Sequence, residues 1–209
     1  MVWAGAMPYN DHENYVINRS DDFDNQVLSK QWEWNYQPRD DMYSLTEKEG
    51  WLRLKAFKPL ENDNLLFAGN TLTQRCFRTS FNEVIIKIDI SNMVDGQKCG
   101  LSHFSNQYAS LGVSQDEGIR KIEYRQNEAV IKSDSIIDCT YLWLKSRWGI
   151  DGKSYFYYST DGDSYLSFGL PYQLSWGYYR GDRIGLYCYN NKEDSGYVDV
   201  DYFHYKIEK

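Results

Sequence analysis

Few side chains in this sequence have the types and spacing for covalent chemistry. His12, His103 and His204 stand far apart, and Cys76, Cys99, Cys139 and Cys188 include no C-x-x-C pair, so a zinc site has little to work with. No G-x-S-x-G, H-E-x-x-H or phosphate-binding glycine loop occurs, which removes the footholds for acyl transfer, metalloprotease and nucleotide chemistry. The 30 acidic residues allow many carboxylate pairs of the kind glycoside hydrolysis uses, but such pairs come from distant strands and nothing local marks a general acid. The richer signal is non-covalent. Between Tyr141 and Ile150, alternation puts Leu142, Leu144, Trp148 and Ile150 on one face and Tyr141, Trp143, Lys145 and Arg147 on the other. An aromatic plate beside cationic donors suits a sugar, whose C–H faces stack on a ring and whose hydroxyls take charge-assisted hydrogen bonds. The bland reading packs Trp143 beneath a loop and leaves Lys145 and Arg147 as a solvated edge.

Other candidates sort the same way. In Arg183–Asn190, Tyr187 and Tyr189 oppose Ile184, Leu186 and Cys188, so they are sheet-face candidates for stacking. Thr71, Thr73 and Arg75 oppose Leu72, Gln74 and Cys76, which leaves Gln74 open between a ligand group and a buried, satisfied amide. Trp32, Trp34, Asn35 and Tyr36 lead toward Pro38, where a strand gives way to a loop mouth; that cluster suits a saccharide, and tryptophans also anchor large cores. Asp22 and Asp201 have two readings. They are ligands of a structural calcium, which favours hard oxygens, or solvated edge acids. Alternation places Asp199 and Asp201 with Tyr197, Phe203 and Tyr205, so at least one acid there needs a partner.

The elements that must position these residues are strands. Val84, Ile86, Ile88 and Ile90 alternate with Ile85, Lys87 and Asp89, the pattern of a half-buried strand. Similar runs follow to the end of the chain, bounded by Gly, Asn, Asp or Pro. Asp151-Gly152 and Asp161-Gly162 predict two-residue hairpin turns with both positions at positive φ. No stretch combines helical periodicity with caps, so any helix is a short turn. A dozen or more strands at this spacing imply an all-β fold of two packed antiparallel sheets. The terminal strands pair, which brings Asp22 near Asp199 or Asp201.

Composition narrows the function classes further. With 209 residues the chain forms a substantial core without disulfide staples, and the cysteines read as reduced, mostly buried thiols. Reduced thiols lean toward a cytoplasmic setting over an oxidising one, although a secreted bacterial protein stays open. A net charge of −7 disfavours nucleic acid as a partner, and no apolar run approaches the roughly 20 residues that cross a bilayer, so no membrane partner is expected. Residues 1–19 read as a linker or N-terminal arm and 20–209 as one β-sandwich module. Seven Trp, 19 Tyr and 9 Phe make 17% of the chain, far more rings than any ligand site needs; Phe156, Trp148 and Phe203 are assigned to packing.

One family resemblance gathers these segments. Asp21-Asp22-Phe23, Trp32-Glu-Trp34-Asn35, Gly50-Trp-Leu-Arg-Leu54, Asn70-Thr-Leu-Thr-Gln-Arg75, Cys99-Gly-Leu101, Tyr158-Ser-Thr-Asp-Gly162, Arg183-Ile-Gly-Leu186 and Val198-Asp-Val-Asp-Tyr-Phe203, in this order, resemble the C-terminal concanavalin-like module of glycoside hydrolase family 43 β-xylosidases and arabinofuranosidases. The resemblance spans roughly residues 20–207. It implies a jelly-roll sandwich of two curved antiparallel sheets attached to a five-bladed propeller that holds the catalytic carboxylates. That propeller has no counterpart in this sequence, so the chain is expected not to hydrolyse anything itself.

The resemblance also implies two roles. Some such modules bind xylan and are classed as carbohydrate-binding modules of family 91. In β-xylosidases a loop of the sandwich helps close the active-site pocket of the propeller, and the segment matching that loop is Ser175-Trp-Gly-Tyr-Tyr-Arg-Gly181, with Tyr178 or Tyr179 supplying the aromatic. The leading expectation is a non-catalytic module for xylan, arabinoxylan or xylooligosaccharide on the concave sheet. Trp143 and a tyrosine stack, and Asn35, Arg75 and Arg147 donate. The alternative is an accessory domain that stabilises and gates the catalytic propeller, with no sugar affinity of its own.

Overall fold

The computed structural model describes residues 18–208 apart from 37, 62, 136–138 and 178–180. Its strands are β1 (Glu33–Trp34), β2 (Tyr43–Ser44), β3 (Leu52–Lys55), β4 (Leu72–Arg75), β5 (Phe81–Asp89), β6 (Gln97–Phe104), β7 (Tyr108–Asp116) and β8 (Ile119–Gln126), then β9 (Ala129–Ser135), β10 (Tyr141–Trp148), β11 (Lys153–Ser159), β12 (Leu166–Ser167), β13 (Tyr172–Gln173), β14 (Arg183–Asn190) and β15 (Tyr197–Glu208). The smaller sheet runs β1-β4-β14-β6-β7-β8-β9; the larger runs β12-β11-β10-β5-β15-β3-β2, with β13 beside β11. Among the described residues helix is confined to two 3-10 turns, Asp40–Met42 and Leu65–Phe67. The all-β, two-sheet expectation is met.

Period-2 sequence builds the core. Val84, Ile86 and Ile88 on β5 and Leu142 and Leu144 on β10 meet Leu72, Leu101, Leu111, Ile184 and Leu186 of the other sheet, all buried; each such side chain contributes about 1.5–3 kcal/mol. Phe156, Trp148 and Phe203 are buried as expected. Ile150, placed on the core face by parity, is instead 73% exposed, because β10 ends at Trp148 and Ile150 falls in the turn.

The turn chemistry departs from expectation. Asp151-Gly152 does join two strands, but only Gly152 has positive φ (+71°), and its N–H donates to the Gly149 carbonyl across a longer connection. At Asp161-Gly162, too, glycine alone has positive φ, and the Asp161 carboxylate accepts from the N–H groups of Asp163 and Ser164. Among the described residues, both positions have positive φ at Glu117-Gly118, between β7 and β8.

The chain ends do pair: Asp21 bridges Phe203 with N–H···O bonds of 2.9 and 2.8 Å. A register shift between Val200 and Tyr202 then flips the parity of β15. Val198 and Val200 face the core before it and Phe203 and Tyr205 after it, so Asp199 lies on the opposite face from Phe203 and Tyr205. A bulge of this kind adds one residue to one strand, and simple alternation does not foresee it.

Candidate functional site

The outer face of the larger sheet carries a strip of aromatic rings. Tyr141 and Trp143 project from β10, opposite the buried Leu142 and Leu144, and Trp51 joins them from the start of β3. Ring centroids are 6.3 Å apart for Trp51 and Tyr141 and 6.4 Å for Tyr141 and Trp143. Register explains the cation among them, since Lys87 of β5 is the partner of Trp143. Its ammonium lies 5.2, 4.8 and 5.8 Å from the three ring centroids and donates to Asp201 at 2.7 Å. Lys48 sits 3.6 Å from the Trp51 centroid and bridges Asp89 and Asp199 at 3.2 and 3.3 Å. Tyr141 is 38% exposed, and Trp51 and Trp143 are half-buried.

Buried acids hold this face in place. Asp199 accepts from the Arg53 guanidinium at 2.7 and 3.0 Å, a two-pronged bond that fixes the carboxylate. Burial works to raise the Asp89 pKa, but bonds from Ser91 and Lys48 outweigh it and keep the carboxyl below its usual range. Trp143 also packs beneath a loop: a Cβ built on Gly162 falls 3.0 Å from its ring. Lys145, on the same side of β10, is buried with its ammonium 3.3 Å from the Tyr165 ring centroid. Arg147 lies four residues from Trp143, about 13 Å along the strand, and pairs with Glu83.

Asn35 and Arg75 lie elsewhere, on the smaller sheet. The Asn35 amide is committed to the fold, accepting from Arg183 at 2.8 Å and donating to the Leu66 carbonyl at 3.3 Å. Arg75 is exposed, 3.7 Å from Glu33. Trp176, in the loop segment 175–181, is 81% exposed. Tyr178 and Tyr179 lie outside the described residues. The predicted binding residues therefore do not converge on one site: Trp143 and Arg147 share one sheet face, and Asn35 and Arg75 belong to the other sheet.

Tyr187 and Tyr189 require correction. Their parity is as expected, but they are only 4% and 2% exposed and offer no ring face to a ligand. The 3-10 turn Leu65–Phe67 covers that face of β14 and makes a second core of Leu65, Ala68, Phe104, Tyr108, Tyr187 and Tyr189. Tyr187 lies against Gly100 and Gly112; a Cβ on Gly112 would fall 2.3 Å from the Tyr187 hydroxyl. Gln74 is buried and donates to the Arg19 carbonyl at 2.9 Å, and Trp32 is a core anchor between Phe23 and Phe203.

The two acids considered for calcium face basic side chains. Asp22 pairs with His204 at 2.7 Å and not with Asp199 or Asp201, and Asp201 pairs with Lys87 at 2.7 Å. Among the described residues no three His, Cys, Asp or Glu side chains come together as a metal cage. Calcium needs several converging oxygens, and this donor set does not fit it.

Comparison with known proteins gives these surfaces a family. Residues 20–206 match the profile of the beta xylosidase C-terminal concanavalin A-like domain. The chain belongs to this family. It is 34% identical over 209 residues to a beta-xylosidase of Formosa agariphila, covering 90% of this chain and 35% of that protein. It is 30% identical over 165 residues to a putative beta-xylosidase of Xylanibacter ruminicola, covering 78% and 30%. Among solved structures, a bifunctional GH43-CE protein of Bacteroides eggerthii superposes with a TM-score of 0.83 at 29% identity, covering 91% of this chain and 26% of that one. The chain thus spans about a third of the length of these curated relatives. The concanavalin-like sandwich expected from the sequence is the fold of the family.

Proposed function

We propose that the chain is a non-catalytic C-terminal module of a family 43 glycoside hydrolase, and that it holds a xylan-type β-linked polysaccharide on the Trp51–Tyr141–Trp143 strip. The strip carries the reading: three rings in a row, with Lys48 and Lys87 beside them as donors. Ring faces take the apolar C–H side of pentose units, and the ammonium groups hydrogen-bond their hydroxyls. Both lysines are already held by acids, so a sugar exchanges water for partners at small net gain, and binding in the micromolar to millimolar range follows. The names of the relatives support xylan-type sugars as the ligand class. Affinity electrophoresis through gels containing xylan, arabinoxylan or a β-glucan tests this. Retardation in the xylan gels that is lost in Trp51→Ala and Tyr141→Ala is expected; unchanged mobility of the wild-type chain in all gels refutes it. The chain alone is expected to release no nitrophenol from nitrophenyl pentosides.

A second reading is favoured by one observation, the 81% exposure of Trp176 in the segment expected to reach a catalytic domain. In that reading the module docks on a propeller and helps close its pocket. Co-purification with a family 43 catalytic domain, and activity lost on Trp176→Ala, would support docking and gating over free sugar binding.

A further inference from the structure

The cations around the aromatic strip are matched by acids, with one exception. Lys48 has Asp89 and Asp199, Lys87 has Asp201, Arg147 has Glu83 and Lys206 has Glu208. The exception is Lys145. It follows Trp143 by two residues on the same face of β10, about 7 Å along the strand, and is only 6% exposed. Its ammonium lies against the Tyr165 ring and 5.8 Å from the Tyr157 centroid, yet no acceptor among the described residues meets its Nζ. Ring faces attract a cation but offer its N–H groups no lone pair.

The ammonium is not sealed off. What surface Lys145 keeps includes Nζ, and its cross-strand partners Ile85 and Tyr157 are half-buried, with Arg147 exposed beyond them. The face is therefore open beside it. The loop after β11 walls the other side, with Tyr165 against Lys145 and Gly162 against Trp143, so a chain stacked on Trp143 runs along the same wall. Burial, joined by the charge of Arg147, lowers the Lys145 pKa against the opposite pull of Glu83. Burying a cation without a carboxylate is costly, and an anionic oxygen brought to Nζ removes that cost.

We infer that Lys145 is a carboxylate site at the end of the strip, and that the polysaccharide held there carries acidic side groups of the uronic acid class. The inference rests on the strip reading: Trp51, Tyr141 and Trp143 take the sugar backbone, and Lys145 takes a carboxylate on one of its substituents. A charge-assisted bond of this kind is about twice as strong as a neutral one. A sugar hydroxyl could accept from the same N–H, but it would leave the buried charge without a counter-charge.

Titrating the isotope-labelled 209-residue chain at low salt with plain xylotetraose, and with xylotetraose bearing one uronic acid side group, tests it. The Trp51 and Trp143 indole signals give the two dissociation constants. The acidic oligomer is expected to bind about tenfold tighter and to move the Lys145 side-chain signal, which the plain oligomer leaves in place. Lys145→Met, unbranched and uncharged, is expected to bring the ratio of affinities to about one. Reducing the carboxyl of the oligomer to an alcohol is expected to do the same from the ligand side, with the wild-type chain. Equal affinity of the wild-type chain for both oligomers would overturn the inference and leave the strip reading standing. A preference that survives Lys145→Met or carboxyl reduction would also overturn it. So would free glucuronate held at Lys145 as tightly as the acidic oligomer, which would make this a general carboxylate site. Binding of neither oligomer would remove the strip reading, and this inference with it.

Discussion

His103 ties the stability of the sandwich to pH. It is fully buried between the sheets, edge-on to Trp148 and Phe156. Its Nδ1 meets the Cys76 thiol at 3.3 Å and its Nε2 the Ser146 hydroxyl at 2.7 Å, and Ser146 continues to Ser154 at 3.0 Å. Neutral imidazole satisfies this chain when the thiol donates to Nδ1 and Nε2–H donates to Ser146. Burial, aided by the nearby charge of Arg78, lowers the pKa of His103 to about 3. In the unfolded chain it returns to about 6.5, so below that pH the unfolded state binds a proton that the folded state refuses. Stability therefore falls as pH drops from 6.5 toward 3, by about 1.4 kcal/mol per unit once well below 6.5. From pH 7.5 to pH 5 the loss from this group is about 2 kcal/mol, or about 4–8 °C in melting temperature for a chain of this size. Ordinary unfolded carboxylates, at about 3.9–4.3, contribute little above pH 5. Urea denaturation at half-unit steps from pH 7.5 to 5 measures the slope, and His103→Gln is expected to flatten it whatever its absolute stability. A flat wild-type profile, or a variant that keeps the full slope, would refute the reasoning.

Asp63 latches the loop over the second core, taking Lys98, Arg125, Tyr189 and Asn191 as donors while its own backbone sits at φ +59°. Asp63→Ala strands two largely buried cations and strains an alanine at positive φ; discounted for the 29% exposure of the carboxylate, a loss of about 2–3 kcal/mol in urea unfolding is expected. Gly112→Ala would put its Cβ 2.0 Å from the Cys99 carbonyl oxygen and is expected to cost about 3 kcal/mol or more. Gly118→Ala, with nothing within 4 Å but a φ of +71°, is expected to cost only about 1–2 kcal/mol by calorimetry. Because Asp22 and Asp201 face His204 and Lys87, a chelator is expected to leave the melting temperature unchanged, and a metal-dependent shift would restore calcium to the account.

The fold was legible because period-2 alternation survives along most strands, and Leu142, Leu144, Trp148 and the isoleucines of β5 fall where parity puts them. Parity failed where one inserted residue reverses it, as at Asp201 in β15. The site was harder to read because a strand face says nothing about what lies above it: Tyr187 and Tyr189 have the predicted orientation and are sealed by a loop over a hundred residues away in sequence. One local signal was available, since glycines inside strand runs, here Gly100 and Gly112, mark close approach by another group. Trp51 carried a signal too, as the aromatic residue heading Trp-Leu-Arg-Leu on the face opposite the core. Its proximity to Tyr141 depends on sheet order, β10-β5-β15-β3, which spacing along one chain does not encode. Residue type singles out Asn35 and Arg147, but type does not distinguish an amide spent on Arg183 or a guanidinium spent on Glu83 from one available to a ligand.

A crystal of the chain soaked with xylotetraose shows where, and whether, the sandwich holds sugar. A sugar chain lying along Trp51, Tyr141 and Trp143 is expected, with hydroxyls within hydrogen-bond distance of Lys48 or Lys87. Density confined to the region around Trp176, or no bound sugar with the strip open to solvent at a concentration well above the millimolar range, would contradict it.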